Sequence, residues 1–402
     1  MTRRLHVVNP ASDFPSYHSA EVYAAIGLPG RVAVADLSST TLAAFAPADW
    51  TIRLTDEAIA PLDDDAVATD DAEIVAITGK VSQRDRMIEL ASAYRRRGRL
   101  VVIGGSHASL DPDDMAPHAD VLVTGEIEEI AADLFADLDA GRARPRYAGH
   151  WPDLARSPVP RWDLYPTAQA QMGSIQTSRG CPYSCEFCDV IQYLGRRQRH
   201  KSPARVIAEL DELARHGLGH VFLADDNFTV HRRHAHAVLD ALHDWNRRAA
   251  HPARFMTQAS LDVARDPDLL EACRSAGLVS FYMGLETTNA AGLAEAGKKQ
   301  NLHRDMMSAV ETIVGHGIAV HAGIIAGFDA DGPGIFDELG DFIDASPIPM
   351  LAIGALVAPL GTPLHDRLLA AGRIVADAGR SANHPFATNI VPGDRKSTRL
   401  NS

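Results

Sequence analysis

Three of the four cysteines in this chain fall within a few residues of one another in RGCPYSCEFCD, as Cys181-x3-Cys185-x2-Cys188. One short loop thereby offers three thiolates, the preferred ligands of iron–sulfur clusters, at a spacing that can wrap around a single cube. Three protein ligands leave one iron open, and an open iron can bind a small chelating molecule. Structural zinc asks for four ligands, usually as two separated pairs, and no second pair is present. Cys273 stands apart in DPDLLEACRSAG, a helical pattern in which a buried, inert thiol is expected. The spacing is not that of a secreted disulfide framework, so a reducing compartment is implied and the cytoplasm is the expected location.

Such a loop needs a scaffold, and residues 171–375 read as a βα series. Strands are expected near 173–177, 219–224, 254–259, 279–285, 319–326 and 352–358, separated by helices such as SPARVIAELDELARHG. That helix has Ser202 as N-cap, Pro203 in its first turn, Val206, Leu210 and Leu213 on one face, and Gly217 as its stop. Six successive units argue for a partial barrel, because closure of the usual kind takes eight.

Residues 1–145 alternate β-branched runs with helical patterns: LHVV, TIRLTD, EIVAIT, LVVIGG and DVLVTG. Between the third and fourth, SQRDRMIELASAYRRRG carries Met87, Leu90, Ala91 and Tyr94 at helical spacing. This is the rhythm of a doubly wound parallel sheet. Its loops GSHAS and TGEIEE lie at carboxyl ends of strands, where open α/β sheets bind ligands. The prolines at 152, 158, 160 and 166 mark residues 146–170 as a linker. Residues 376–402 end in GDRKSTRLNS, which follows no apolar pattern and is expected to be an altered or truncated terminus. The expected fold class is α/β, a Rossmann-like sheet followed by a partial (β/α)6 barrel.

The 402 residues carry a formal charge of -13, which argues against nucleic-acid or anionic-membrane partners. No apolar run approaches the roughly 20 residues that span a bilayer, and MTRRLHVVNP does not fit a secretory signal. HRRHAHAVLDALHDW, with His231, His234, His236 and His243, suggests a second metal. Its Val238, Leu239 and Leu242 form the buried side of an amphipathic helix, however, so the histidines are expected on the solvated face.

Placed just after the first strand of a βα series, RGCPYSCEFCD resembles the signature loop of the radical S-adenosylmethionine (SAM) superfamily. That resemblance implies a [4Fe-4S] cluster on Cys181, Cys185 and Cys188, chelation of SAM by the open iron, and reductive cleavage to a 5'-deoxyadenosyl radical. It implies that Phe187 lies against the adenine. Asp225, Asp226 and Asn227 of FLADDNF would meet the SAM amino group, although the commoner family form is Gly-Gly-Glu and an Asx-stabilised turn is the competing reading. Glu286 of GLET would reach the ribose hydroxyls or the amino-acid moiety, or else serve as a structural carboxylate. Ile325 and Gly327 of GIIAGFD would contact the adenine, and APLGTPLHDRL resembles the family's turn after the sixth strand. Arg196, Arg197, Arg199 and Lys201 either meet an anionic group of SAM or substrate or form a solvated basic loop.

The front sheet resembles the cobalamin-binding domain of the cobalamin-dependent radical SAM subgroup, with Gly105, Ser106 and Gly125 in its late loops. The Asp-x-His-x-x-Gly motif that supplies a cobalt ligand in the wider family is missing, and His107 is not in that context. TIRLTDEAI, TGKVSQRD, LGRRQRHKSP, DDNF and GKKQNLHRD together are most similar to the hopanoid C-2 methylase branch, over nearly all of residues 1–375. The resemblance implies methyl transfer to an unactivated carbon of a polycyclic or isoprenoid lipid or another small molecule. Cofactors would carry the chemistry, and an external electron donor such as a flavodoxin or ferredoxin would be needed. Tetrapyrrole methylases and cyclases share the layout, so a radical cyclase or rearrangement enzyme is the alternative. A non-catalytic iron–sulfur module is the alternative from another class. RNA methylthiolation would need a basic appendage, which the acidic balance does not show.

Overall fold

The β-branched runs that open the chain form short parallel strands because both their faces are covered. Val7, Val8, Val75, Ile77, Val101 and Ile103 are all fully buried, the pattern of a sheet with helices on either side. The computed structural model describes residues 2–12, 27, 31–302, 305–375 and 388–393. By contact density the chain divides into two units, Met1–Ile175 with Arg205–Phe222, and Gln176–Ala204 with Leu223–Ser402.

The first unit holds β1 (Arg4–Asn9), β2 (Val32–Val34), β3 (Thr51–Asp56), β4 (Ile74–Thr78), β5 (Leu100–Gly104), β6 (Val121–Thr124), β7 (Arg146–Ala148) and β8 (Ala170–Ile175). Six of these make a parallel sheet in the order β3-β1-β4-β5-β6-β7. From β1 the chain adds β3 on one side and β4 on the other. That reversal opens a crevice at the strands' carboxyl ends, where doubly wound sheets carry ligands. The helix Arg84–Arg96 buries Met87, Leu90, Ala91 and Tyr94, as their spacing requires, in one cluster with Val75, Ile77, Val101 and Ile103.

Strands β2 and β7 went unanticipated, each only three residues long. β2 pairs in parallel with β8, Val32 opposite Ala170, a contact so distant in sequence that no local pattern announces it. Residues 146–170 contain β7 and three short 3-10 turns. They are anchored by fully buried Trp162 and by Tyr165, whose hydroxyl donates to Asp56 at 2.6 Å.

In the second unit, β9 (Ser178–Arg179) and β10 (Arg199–His200) form an antiparallel clip. After β11 (His220–Leu223), whose last residue alone belongs to this unit, come β12 (Arg254–Gln258), β13 (Leu278–Glu286), β14 (Ala319–Ala326) and β15 (Met350–Ala355). These last four pair in parallel in sequence order. The six strands expected from the βα rhythm are all present, starting at residues 170, 220, 254, 278, 319 and 350. A register shift between Gly284 and Glu286 ends β13 in a bulge, a device that re-aims a side chain.

One expectation is corrected. In the helix Arg232–Arg248, His234 is buried with Val238, Leu239 and Leu242, and does not lie on the solvated face. His231 caps this helix, and His200 stacks on His234 with ring centroids 4.2 Å apart. Cys273 is buried, as its apolar helix face required. No helix among the described residues is long and apolar enough to cross a membrane. The terminal stretch from 394 onward lies outside the described residues.

Candidate cluster and cofactor site

The clip of β9 and β10, with Ser178 opposite His200 and Arg179 opposite Arg199, closes the base of the cysteine loop. Gly180 enters the loop with φ +94°, and a Cβ there would lie 2.8 Å from the Arg197 carbonyl oxygen and 2.9 Å from that of Gly195. Only glycine suits so close an approach in that conformation. The basic tail folds back along the loop. Cys181 N donates to Gly195 O at 3.2 Å, Arg196 Nη2 to Pro182 O at 3.1 Å, and Arg199 Nη2 to Leu194 O at 3.0 Å. Lys201 is buried. Arg196 and Arg199 thus brace loop carbonyls.

The DDNF turn supports the same loop from below. Asp225 is fully buried, and its two oxygens accept from Thr177 N (2.6 Å), Thr177 Oγ1 (2.5 Å), Ser178 N (3.1 Å) and Ser178 Oγ (2.7 Å). Burial pushes its pKa up while those four donors work the other way. Asp226 accepts from Gly180 N at 2.7 Å, and Asn227 Nδ2 donates to Ser260 Oγ at 2.6 Å. All three side chains that the resemblance places at the SAM amino group therefore make protein contacts, and two of them grip the residues leading into the first cysteine.

All three loop cysteines are free thiols, Cys185 buried and Cys181 and Cys188 partly so. Burial pushes the Cys181 thiol up to about 11 and the Cys188 thiol up to about 12, with the charge of neighbouring acids and of Cys185 adding to it. Among the described residues no group of three or more His, Cys, Asp or Glu side chains already stands at metal-ligand spacing. Three uncompensated thiolates repel one another, so drawing them together is work that a cation performs on binding. The donor set fits an iron–sulfur cluster: three unpaired thiols on one clamped loop, with no competing disulfide.

Glu286 ends β13 with φ +70° and is nearly buried. Its Oε1 lies 2.5 Å from Lys298 Nζ. Burial acts to lower the lysine pKa, and the charges of Glu286, Cys185 and Cys188 outweigh it, so the ammonium form is favoured. Phe187 and Ile325 pack against one apolar cluster that includes Phe328, Leu356 and Leu364. Gly327, two residues past Ile325, has φ +111°, its N–H donated to Asp331 at 2.8 Å. The aromatic between the last two cysteines and the fifth-strand isoleucine are thus brought to a common patch.

In the first unit the late loops turn on glycines. Gly105, at φ +99°, packs so tightly on the loop after β4 that a Cβ would fall 2.4 Å from Gly79 O. Ser106 opens the short helix that follows, and Gly125, after β6, donates its N–H to Ser109 Oγ at 2.9 Å. His107 is buried, with Nε2 3.2 Å from Asp114, which Arg84 also binds. That histidine is committed to the protein. Glycines at the carboxyl edge fit the backbone approach of a large ligand, and His107, held by Asp114, is not a free imidazole for cobalt.

The sequence reading did not single out Thr177 and Ser178, or the turn containing Lys298, Gln300 and Asn301. The latter carried one signal, the GKKQN string, which has no periodicity to reveal its contacts.

Residues 175–343 match the Radical SAM superfamily model. A hopanoid C-2 methylase from Rhodopseudomonas palustris (strain TIE-1) is 35% identical over 360 residues, covering 88% of this chain and 67% of that protein. Two solved structures share the fold. The radical SAM methyltransferase TsrM from Kitasatospora setae, with cobalamin and a [4Fe-4S] cluster bound, superposes with a TM-score of 0.70 at 16% identity, covering 97% of this chain and 83% of its own. The cobalamin-dependent SAM radical enzyme OxsB, with aqua-cobalamin bound, gives a TM-score of 0.70 at 16% identity, covering 94% and 63%. The fold is therefore a Rossmann-like sheet followed by the curled partial-barrel sheet of these enzymes. The chain belongs to the radical SAM superfamily and is related by sequence to the hopanoid C-2 methylase.

Proposed function

We propose that this protein is a cobalamin-dependent radical SAM C-methyltransferase acting on an unactivated carbon of a polycyclic or isoprenoid lipid. The observation that carries the reading is the trio Cys181, Cys185 and Cys188 on a loop clamped by Asp225, Asp226 and the β9–β10 clip. Similarity to the hopanoid C-2 methylase over most of the chain supports the lipid class. When bound, the cluster, SAM and cobalamin would together supply hydrogen-atom abstraction and methyl delivery.

The chain's own residues would hold, orient and shield. Cys181, Cys185 and Cys188 would hold the cluster. Phe187, Ile325 and Gly327 would present an apolar, close-packing surface to the adenine. Glu286, steadied by Lys298, would accept from hydroxyl or ammonium groups of SAM. Asp226 and Asn227 would offer oxygens to the SAM amino group, while Asp225 positions the loop entrance. Gly105, Ser106 and Gly125 would line the cobalamin loops. With the chemistry carried by the cofactors, the protein's share would be positioning and exclusion of water. A reductant from outside the chain, of the flavodoxin or ferredoxin class, would deliver electrons.

The test is turnover under strict anaerobiosis with a low-potential reductant, methylcobalamin and methyl-labelled SAM, offering a hopanoid-type polycyclic lipid. Label in the lipid together with 5'-deoxyadenosine is expected. Formation of 5'-deoxyadenosine with a rearranged, unlabelled product would assign the chain to the cyclase class.

A further inference from the structure

The turn 296–301 touches the site at three points. Ala296 O accepts from Glu186 N at 2.9 Å, which ties the turn to the cysteine loop. Asn301, fully buried, donates Nδ2 to Gly284 O at 3.0 Å and Leu285 O at 3.3 Å, which ties it to the bulge ending β13. Lys298 pairs with Glu286 across that bulge. Between these anchors lies Gln300, 8% exposed, with its side-chain nitrogen 3.6 Å from the sulfur of Cys185. That separation is a hydrogen-bond length for a sulfur acceptor. A primary amide held on both sides and aimed at the middle cysteine is more than filler, since an apolar residue would pack there without the cost of burying an amide.

We propose that Gln300 positions Cys185 and tunes the iron–sulfur cluster, its amide N–H donating to the sulfur that would ligate iron. This rests on reading the three cysteines as cluster ligands. An N–H···S bond withdraws electron density from a ligand sulfur and stabilises the reduced, more negative cluster, so it raises the reduction potential. The effect is stronger in a buried site, where low dielectric magnifies each dipole. Asn301 anchors the turn beside the donor to the bulge of β13, and Glu286 holds Lys298 in an ion pair.

The test uses the full chain reconstituted anaerobically, as wild type, Gln300→Leu and the near-isosteric Gln300→Glu, with the cluster potential read by electron paramagnetic resonance during redox titration without SAM. The midpoint is expected to shift to more negative potential in Gln300→Leu and further in Gln300→Glu, with cluster content maintained. Equal midpoints in all three proteins would overturn the role of Gln300 while leaving the cluster reading intact, and a wild type that holds no cluster would overturn the reading itself. A second measurement needs no iron. In the apoprotein, iodoacetamide labelling mapped by mass spectrometry should be slower at Cys185 in Gln300→Leu than in wild type, because the N–H donor favours the reactive thiolate, with Cys273 unchanged; an unchanged Cys185 rate contradicts the hydrogen bond.

Discussion

Lys298 holds its ammonium 2.5 Å from the carboxylate of Glu286, and Glu286 is the one non-glycine residue with left-handed backbone among those described. Such a conformation costs of order 1–3 kcal/mol and persists only where surrounding contacts over-determine it. Removing one partner of a nearly buried pair leaves the other uncompensated, at a cost of about 3–5 kcal/mol. Lys298→Met should therefore lower stability by about that amount, measured by chemical denaturation, while Lys298→Met combined with Glu286→Leu should recover most of it. Equal losses in the single and double variants would show that the pair is not coupled.

Asp225 gathers four donors from Thr177 and Ser178 at the entrance to the cysteine loop. Each donor orphaned in a buried place costs about 1–3 kcal/mol. Asp225→Ala should then abolish iron loading by distorting the loop entrance, and Asp225→Asn, which keeps one acceptor oxygen, should retain part of it. Iron and sulfide analysis after reconstitution checks this. Full loading of Asp225→Ala would mean that the loop does not depend on its base.

Two buried groups give opposite pH slopes. Burial, then the charge of Asp36, pushes the Asp56 carboxyl up from 3.8 to about 6. The folded protein keeps this proton more tightly than the unfolded chain, so stability falls as pH rises from 3.8 through about 6, by about 3 kcal/mol. Burial, then His200 and His231, lowers His234 from 6.5 to about 4. Its contribution is full above pH 6.5 and is lost as pH falls through about 4, again by about 3 kcal/mol. Between pH 4 and 6 the wild type should show a shallow dependence of melting temperature. Asp56→Asn should make stability rise with pH across that window, and His234→Asn should make it fall. Parallel curves for all three proteins would contradict both assignments.

Gly105 sits at φ +99° with no room for a Cβ against Gly79. Gly105→Ala pairs a left-handed conformation, unfavourable by about 1–2 kcal/mol, with a backbone clash. The loops at the sheet's carboxyl edge should spread, so cobalamin retained through purification should fall severalfold while iron loading is unaffected. Retention equal to wild type would place cobalamin elsewhere.

How much of this was legible beforehand follows physical range. The strands β1, β4, β5 and β6 announce themselves because buried parallel strands are continuous apolar, β-branched runs. β2 is only Val32–Val34, and its partner Ala170 lies far along the chain, so nothing local distinguishes it from a loop. The cysteines were legible from spacing alone. The use of Asp225 was not, because an Asp-Asp-Asn turn reads the same whether its acceptors face a ligand or backbone N–H groups. Gln300 and Asn301 act through a turn whose meaning comes from what it touches. His234 was misplaced because a histidine on an amphipathic helix reads as polar, whereas here stacking on His200 lets it go inside.

The most direct measurement of the central claim is anaerobic reconstitution with iron and sulfide, followed by assay of 5'-deoxyadenosine under strong reductant, in wild type and in Cys185→Ser. The wild type should gain the broad visible absorption of an iron–sulfur cluster and cleave SAM, and Cys185→Ser should do neither. SAM cleavage that survives in Cys185→Ser, or a wild type that acquires no cluster, would contradict the account.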